Sequence, residues 1–175
     1  MIRLKQVVTG CVIAATLSVS SAYAAPSIEV GFSPDGSSLN VVLNAINSAN
    51  KELLMAAFNF TSRPISEALM KAKARGVDVR VIADRKANSN YSAVTYLANH
   101  GVHVSLNDNY AYFHNKFIVI DGNSVETGSF NYTKGAAEKN AENVIWLRDY
   151  PDVAAKYRGE FVRLWQQSQS LKPAY

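Results

Sequence analysis

Six residues between positions 114 and 131 carry groups suited to one kind of chemistry. His114 and Lys116 stand two apart, Asp121 follows, and Gly128, Ser129 and Asn131 close the set. An imidazole is a nucleophile or general acid near neutral pH. An ammonium neutralises charge on nonbridging oxygens, and hydroxyl and amide groups donate hydrogen bonds to them. Together these are the groups that bind and attack a phosphoester. Along a strand side chains alternate between faces, so His114 and Lys116 point the same way. Asp121-Gly122-Asn123-Ser124 is a hairpin signal. A two-residue loop at Gly122-Asn123 sets Lys116 opposite Ser129 and His114 opposite Asn131, which gathers four polar groups on one patch. Gly128 lies beside them, where a missing side chain would let a ligand approach the backbone. Asp121 falls on the other face and reads as a turn or orienting residue. The same residues would also serve as an exposed polar strand face closed by an ordinary turn.

The elements that must position this patch are legible from periodicity. Ile28 to Phe32 reads as a strand, and Leu39, Val42, Leu43 and Ile46 mark a helix after the Asp35–Ser38 start signal. Leu53 to Phe58 is a continuous apolar run, as in a strand buried on both faces. Pro64 opens a second helix that Gly76 closes. Val77, Val79 and Val81 alternate as a strand, Tyr91, Val94 and Leu97 mark a third helix, and Val102 to Leu106 is another strand. The hairpin pairs Ala111–Ile120 with Val125–Phe130. Asn143 to Leu147 adds a strand, and Pro151 opens a last helix along Val153, Tyr157, Phe161, Leu164 and Ser168. The expected fold is an α/β single-domain sandwich, a mixed and mostly parallel sheet flanked by helices on both faces.

The first residues read differently. Arg3 and Lys5 precede an apolar run from Val7 to Val19, and Ser20-Ser21-Ala22-Tyr23-Ala24 supplies small residues for a signal peptidase. The run is short for a bilayer span, so a cleaved secretory signal over residues 1–24 is expected, with cleavage after Ala22 or Ala24. Residues 25–175 would form the catalytic domain, exported to the periplasm or released, with no stable membrane anchor. Cys11, the only cysteine, would leave with the signal, removing any disulfide or thiol chemistry. Removing Arg3 and Lys5 also lowers the charge from 18 basic against 14 acidic residues to 16 against 14. Overall charge then gives little pull on polyanions, although a local patch could.

The run His114-x-Lys116-x4-Asp121-x6-Gly128-Ser129-x-Asn131 resembles the HxKx4Dx6GSxN signature of the phospholipase D superfamily at every fixed position. The compact length and Glu142 are similar to the family's small bacterial nuclease branch. The resemblance implies two such motifs at one site, one histidine attacking phosphorus and the other protonating the leaving oxygen. It assigns phosphate binding to Lys116, Ser129 and Asn131, catalysis to His114, and orientation of the histidine to Glu142, without metal or other cofactor. This chain carries one motif. The resemblance therefore implies a homodimer with the site on its twofold axis. His100 and His103 lack the surrounding pattern and read as surface or satisfied polar residues, and His100-x-x-His103 lacks the spacing of a zinc helix.

Three functions remain in view. The first is a nuclease hydrolysing DNA with little sequence preference. Arg63, Lys71, Lys73, Arg75, Arg80, Arg85 and Lys86 would form a basic rim, with Tyr91, Tyr96, Tyr110 and Tyr112 available for stacking. Those cations would equally serve as a solvated helix face. The second is a phospholipase D or phosphatidyltransferase, for which an exposed apolar rim or membrane helix is expected and not seen in the sequence. The third is a non-catalytic nucleic-acid-binding module, which an intact motif disfavours.

Overall fold

The computed structural model describes residues 25–88 and 92–173, so the expected signal segment and Tyr91 lie outside the described residues. Elements run β1 (Ser27–Ser33), α1 (Ser37–Ser48), β2 (Glu52–Ala57), α2 (Arg63–Ala74), β3 (Asp78–Asp84), α3 (Ala93–Asn99) and β4 (His103–Asn107). After them come β5 (Lys116–Ile120), β6 (Ser124–Gly128), α4 (Lys134–Glu138), β7 (Glu142–Arg148), α5 (Pro151–Gln166) and β8 (Gln169–Ser170). One sheet takes all eight strands in the order β1-β7-β6-β5-β2-β3-β4-β8.

The sheet is mixed, but it is not mostly parallel. Only β2-β3 and β3-β4 pair in parallel, and the other five pairings are antiparallel. The reason is connectivity. Parallel neighbours need a helical crossover, and only α2 and α3 serve as one, while α4 joins the antiparallel neighbours β6 and β7. The strand before α1 does not pair with the strand after it; β1 crosses to the far edge and pairs with β7.

Helices cover both faces. Leu53, Met55, Val79, Val81, Ile118, Ile120, Val144 and Trp146 meet α1, α2 and α3 in the larger core. Leu54, Ala56, Ile82, Phe117, Val119 and Val125 meet Ala154, Phe161 and Leu164 of α5 in the smaller one. β2 therefore supplies both cores from alternate residues, which explains its unbroken apolar run. Among the described residues no helix is long and apolar enough to cross a membrane.

The hairpin differs from the expected one by a single residue. Ile120 pairs with Ser124 and Phe117 with Thr127, leaving a three-residue loop at 121–123. Asp121 and Gly122 both take positive φ, 52° and 70°. Asp121 is held there because its carboxylate accepts from the backbone N–H groups of Asn50, Lys51 and Glu52 at 2.7 to 3.1 Å. Hydrogen bonds to a charged acceptor contribute about 1.5–3 kcal/mol. Asp121→Ala is expected to lower stability by about 2 kcal/mol in urea denaturation; a loss below about 0.5 kcal/mol would show that the loop holds without the carboxylate.

Candidate active site

The site lies where β2, β3 and β6 end and β5 and β7 begin. His114 does not sit on a strand, since β5 starts only at Lys116. The stretch before it is fixed by buried Asp84 at the end of β3, whose Oδ2 accepts from the Phe113 N–H at 2.8 Å while Oδ1 accepts from the Ala87 N–H at 2.7 Å. Phe113 is buried, and its neighbours Tyr112 and His114 are exposed. Asp84 is a positioning group the sequence reading missed, because β3 also carries Asp78 and Arg80 and a further charge at its end does not stand out.

Lys116 is only 8% exposed. Its Nζ lies 3.3 and 3.4 Å from the two ring nitrogens of His114 and donates to the His114 carbonyl at 3.0 Å. Burial pushes the Lys116 ammonium below its ordinary pKa, and the nearby Glu142 carboxylate works against that shift. Phe58, just past β2, closes the other side: its ring lies 4.6 Å from the His114 ring, 6.1 Å from Tyr112 and 5.4 Å from Lys116 Nζ. Phe58 is the second contributor missed from sequence, where it read only as the last residue of an apolar strand.

The three-residue loop places Lys116 opposite Gly128 rather than Ser129, yet Ser129 and Asn131 still come to this end of the sheet. Strand β6 stops at Gly128, and the following residues cross the end of β2, where the Tyr132 carbonyl accepts from the Thr61 and Ser62 N–H groups. Gly128 does not open the backbone to a ligand. A Cβ there would meet the Asn143 carbonyl oxygen at 2.1 Å, so the glycine lets β7 approach β6. The Ser129 hydroxyl donates to Glu142 Oε2 at 2.5 Å and accepts from the Asn143 N–H at 3.1 Å. Glu142 Oε1 accepts from Asn140 at 2.9 Å. Glu142 thus reaches Ser129 and Asn140, and none of its hydrogen bonds goes to His114. Asn131 Oδ1 is buried and lacks a hydrogen-bond partner, which costs about 1–3 kcal/mol until one arrives. Asp121 lies at the opposite end of the sheet, tied to the start of β2.

Residues 42–165 match the family described as cardiolipin synthase, PLD-like domain. The chain belongs to the phospholipase D superfamily. Phospholipase D of Rickettsia conorii is 36% identical over 119 residues, 67% of this chain and 60% of that protein. Mitochondrial cardiolipin hydrolase of Chlamydomonas reinhardtii is 33% identical over 135 residues, 77% of this chain and 60% of that protein. The chain thus spans about 60% of the length of these curated relatives. Among solved structures, the phospholipase D family member Nuc from Salmonella typhimurium superposes with a TM-score of 0.83 at 38% identity, covering 85% of this chain and 99% of that one.

Other sequence candidates disperse across the superfamily fold. His100 bonds the Tyr96 carbonyl and lies tilted against the Tyr96 ring, and His103 lies 3.8 Å from Asp78. The basic rim is divided between the two ends of the sheet. Lys71 and Lys73 occupy the last turn of α2, Arg75 donates to the Asn47 and Ala49 carbonyls, and Arg80 pairs with Asp78, all toward the Asp121 end. Arg63, Arg85 and Lys86 lie at the site end, where Arg63 pairs with Glu67 and Arg85 with Asp108. Of the tyrosines, Tyr112 stands beside His114 and is 69% exposed. Among the described residues no three His, Cys, Asp or Glu side chains group to hold a metal.

Beneath the site, the Tyr132 hydroxyl donates to the fully buried Glu126 at 2.9 Å. Burial pushes the Glu126 carboxyl up to about 8, and the tyrosine bond pulls weakly against that. Its folded pKa lies above its unfolded one, so the folded state holds the extra proton between about 4.5 and 8. Stability is therefore expected to be greatest below that window and to fall, by a few kcal/mol in order of magnitude, as pH rises through it. Glu126→Gln removes the titration. Its stability should stay flat from pH 5 to pH 8 relative to the wild type, and parallel profiles would show that Glu126 does not carry the proton.

Proposed function

We propose that this protein is a metal-independent phosphodiesterase hydrolysing DNA, single- or double-stranded with little sequence preference, at a site shared between two copies of the chain. The observation that carries this reading is an exposed His114 imidazole resting on the buried ammonium of Lys116. The nucleophile faces solvent, and the charge that would stabilise a phosphorane lies directly behind it. The open surface is rimmed by Tyr112 and Phe58, which suits a polymer whose backbone enters while its bases stack outside. The near end-to-end match to Nuc, against about 60% of the length of the relatives named for phospholipids, favours the compact nuclease branch.

In the proposed reaction, His114 of one chain attacks phosphorus. The P–N bond forms as the P–O bond to the leaving nucleoside oxygen breaks, and the partner's His114 gives that oxygen its proton. Water, losing a proton to the same imidazole, then displaces the phosphohistidine and leaves a phosphomonoester. Lys116, Ser129 and Asn131 hold the nonbridging oxygens, and Glu142 positions Ser129. The Val7–Val19 run and the small residues after it support export to the periplasm or beyond.

A second reading, hydrolysis or transfer of phospholipid head groups, is favoured by the relatives named phospholipase D and cardiolipin hydrolase. One preparation tests both. Purified protein should nick supercoiled plasmid equally with and without EDTA and leave cardiolipin and phosphatidylcholine vesicles intact. Magnesium-dependent nicking would overturn the mechanism, and lipid cleavage without nicking would overturn the substrate. Lys116→Ala should lose about 10²–10³ in rate, while Lys71→Ala, at the far end of α2, should stay within about twofold.

The shared site has its own measurement. When wild-type chains exchange with excess His114→Ala chains, mixed dimers lack either nucleophile or acid. Activity is expected to fall with the square of the wild-type fraction; a linear fall would place a complete site in each chain.

A further inference from the structure

The segment leaving β2 ties the site to the start of a helix. Phe58 stands against His114, and soon after it Thr61 and Ser62 donate their N–H groups to the Tyr132 carbonyl, beside Asn131. Helix α2 begins at the next residue. Its N-terminus is therefore fixed at the edge of the site, since the chain from Phe58 to Thr61 spans at most about 10 Å. The first N–H groups of a helix lack intrahelical partners and favour an anion. Here the chain leaves that place open: the Ser62 side chain does not cap the helix, and its first turn holds no acidic residue.

A cavity of about 320 Å³ opens beside this helix end, between α2 and α3, within the range of small-ligand sites. Its wall includes Ser92, which is 8% exposed and whose Oγ is buried without a hydrogen-bond partner. Ser92 stands at the N-cap of α3 but makes no capping bond. A buried hydroxyl left unpaired is destabilising until a partner arrives. Arg63, the first residue of α2, lines the same cavity with Glu67. Its Nε donates to the Glu67 carboxylate at 2.7 Å, which offsets that negative charge. Among the described residues, no hydrogen bond engages the two terminal amino groups of the guanidinium.

We infer that this cavity is a second phosphate subsite, where the α2 N-terminus, the Arg63 guanidinium and the Ser92 hydroxyl hold the phosphodiester next to the one being cleaved. The inference rests on the nuclease reading and deepens it, because the ligand is a neighbouring phosphate of the same strand. All three groups donate to oxygen, and a guanidinium suits a phosphate by giving it two parallel bonds. Contacts of this kind position a strand without reading its bases, in keeping with little sequence preference. The subsite favours substrates whose phosphodiesters repeat at short intervals. Phosphatidylcholine, with one phosphate, would fill the His114 site alone. Cardiolipin, with two phosphodiesters joined by a glycerol, offers the same chemistry from another source.

Steady-state kinetics on two substrates test the subsite: a single-stranded oligonucleotide, and bis(p-nitrophenyl) phosphate, a diester with no neighbouring phosphate. Arg63→Gln should raise KM for the oligonucleotide about tenfold. It should also flatten the salt dependence of that KM by about 0.7 in log–log slope. Ser92→Ala should raise the same KM about fivefold while its urea midpoint stays level or rises, since its own chain loses no bond. Both variants should cleave the small diester within about twofold of wild type. An oligonucleotide KM within about twofold of wild type in either variant overturns the subsite. An equal loss on both substrates overturns it too, by placing the residue in the catalytic or folding framework. Wild-type protein that cleaves the small diester and no oligonucleotide overturns the nuclease reading instead. Cardiolipin vesicles then decide the subsite: a KM raised in both variants upholds it with a lipid phosphate as occupant, and an unchanged KM overturns it as well.

Discussion

The seam between β2 and β5 governs the rest of the molecule. β2 lies near the middle of the sheet and joins its parallel layer to the antiparallel strands that carry the motif, pairing with β3 on one side and β5 on the other. Its register against β5 is locked at one end by the Asp121 carboxylate, which gathers three N–H groups from the chain entering β2. With that end fixed, Lys116 must fall beside Ala57, and Phe58 must emerge next to it. A slip of one residue would turn the lysine to the α5 face and bury it among Leu54, Val119 and Phe161.

The chemistry at the other end depends on uneven burial. Lys116 is nearly enclosed, which strengthens its field on anything bound above it, while His114 is left open to solvent. Two separate anchors hold that difference. Asp84 fixes the backbone before His114, and the Glu126–Tyr132 bond fixes the segment that brings Asn131 across. The polar groups on the two sides of the site thus rest on different strands, and the sheet between them keeps their separation.

Much of this was legible in the residues. The motif from His114 to Asn131, the apolar run of β2 and the helix periodicities named the elements and the chemistry. The parallel bias was wrong because alternation of strands with helices reports neighbours in sequence, and β1 takes its neighbour from the far end of the chain. The loop length escaped by one residue because the loop was taken as Gly122-Asn123 alone, while the Asp121 side chain makes a left-handed turn favourable through contacts 70 residues away in sequence. Asp84, Glu126 and Phe58 carried no pattern of their own; each matters through what the fold sets beside it. Gly128 was noticed for the wrong reason, because a sequence shows a missing side chain and not which neighbour fills the space.

The pairing of β1 with β7 sets an order on how the molecule can come into being. Ser27 meets Arg148, about 120 residues downstream, and closing so long a loop is favourable only once many contacts reward it. During synthesis the first strand therefore waits without a ladder partner until nearly the whole chain has emerged. The hairpin and the β2–β3–β4 layer can assemble earlier from local contacts. The last piece to lock in place is the edge strand that carries Ile28, Val30 and Phe32, so that border of the sheet exists only on a finished chain.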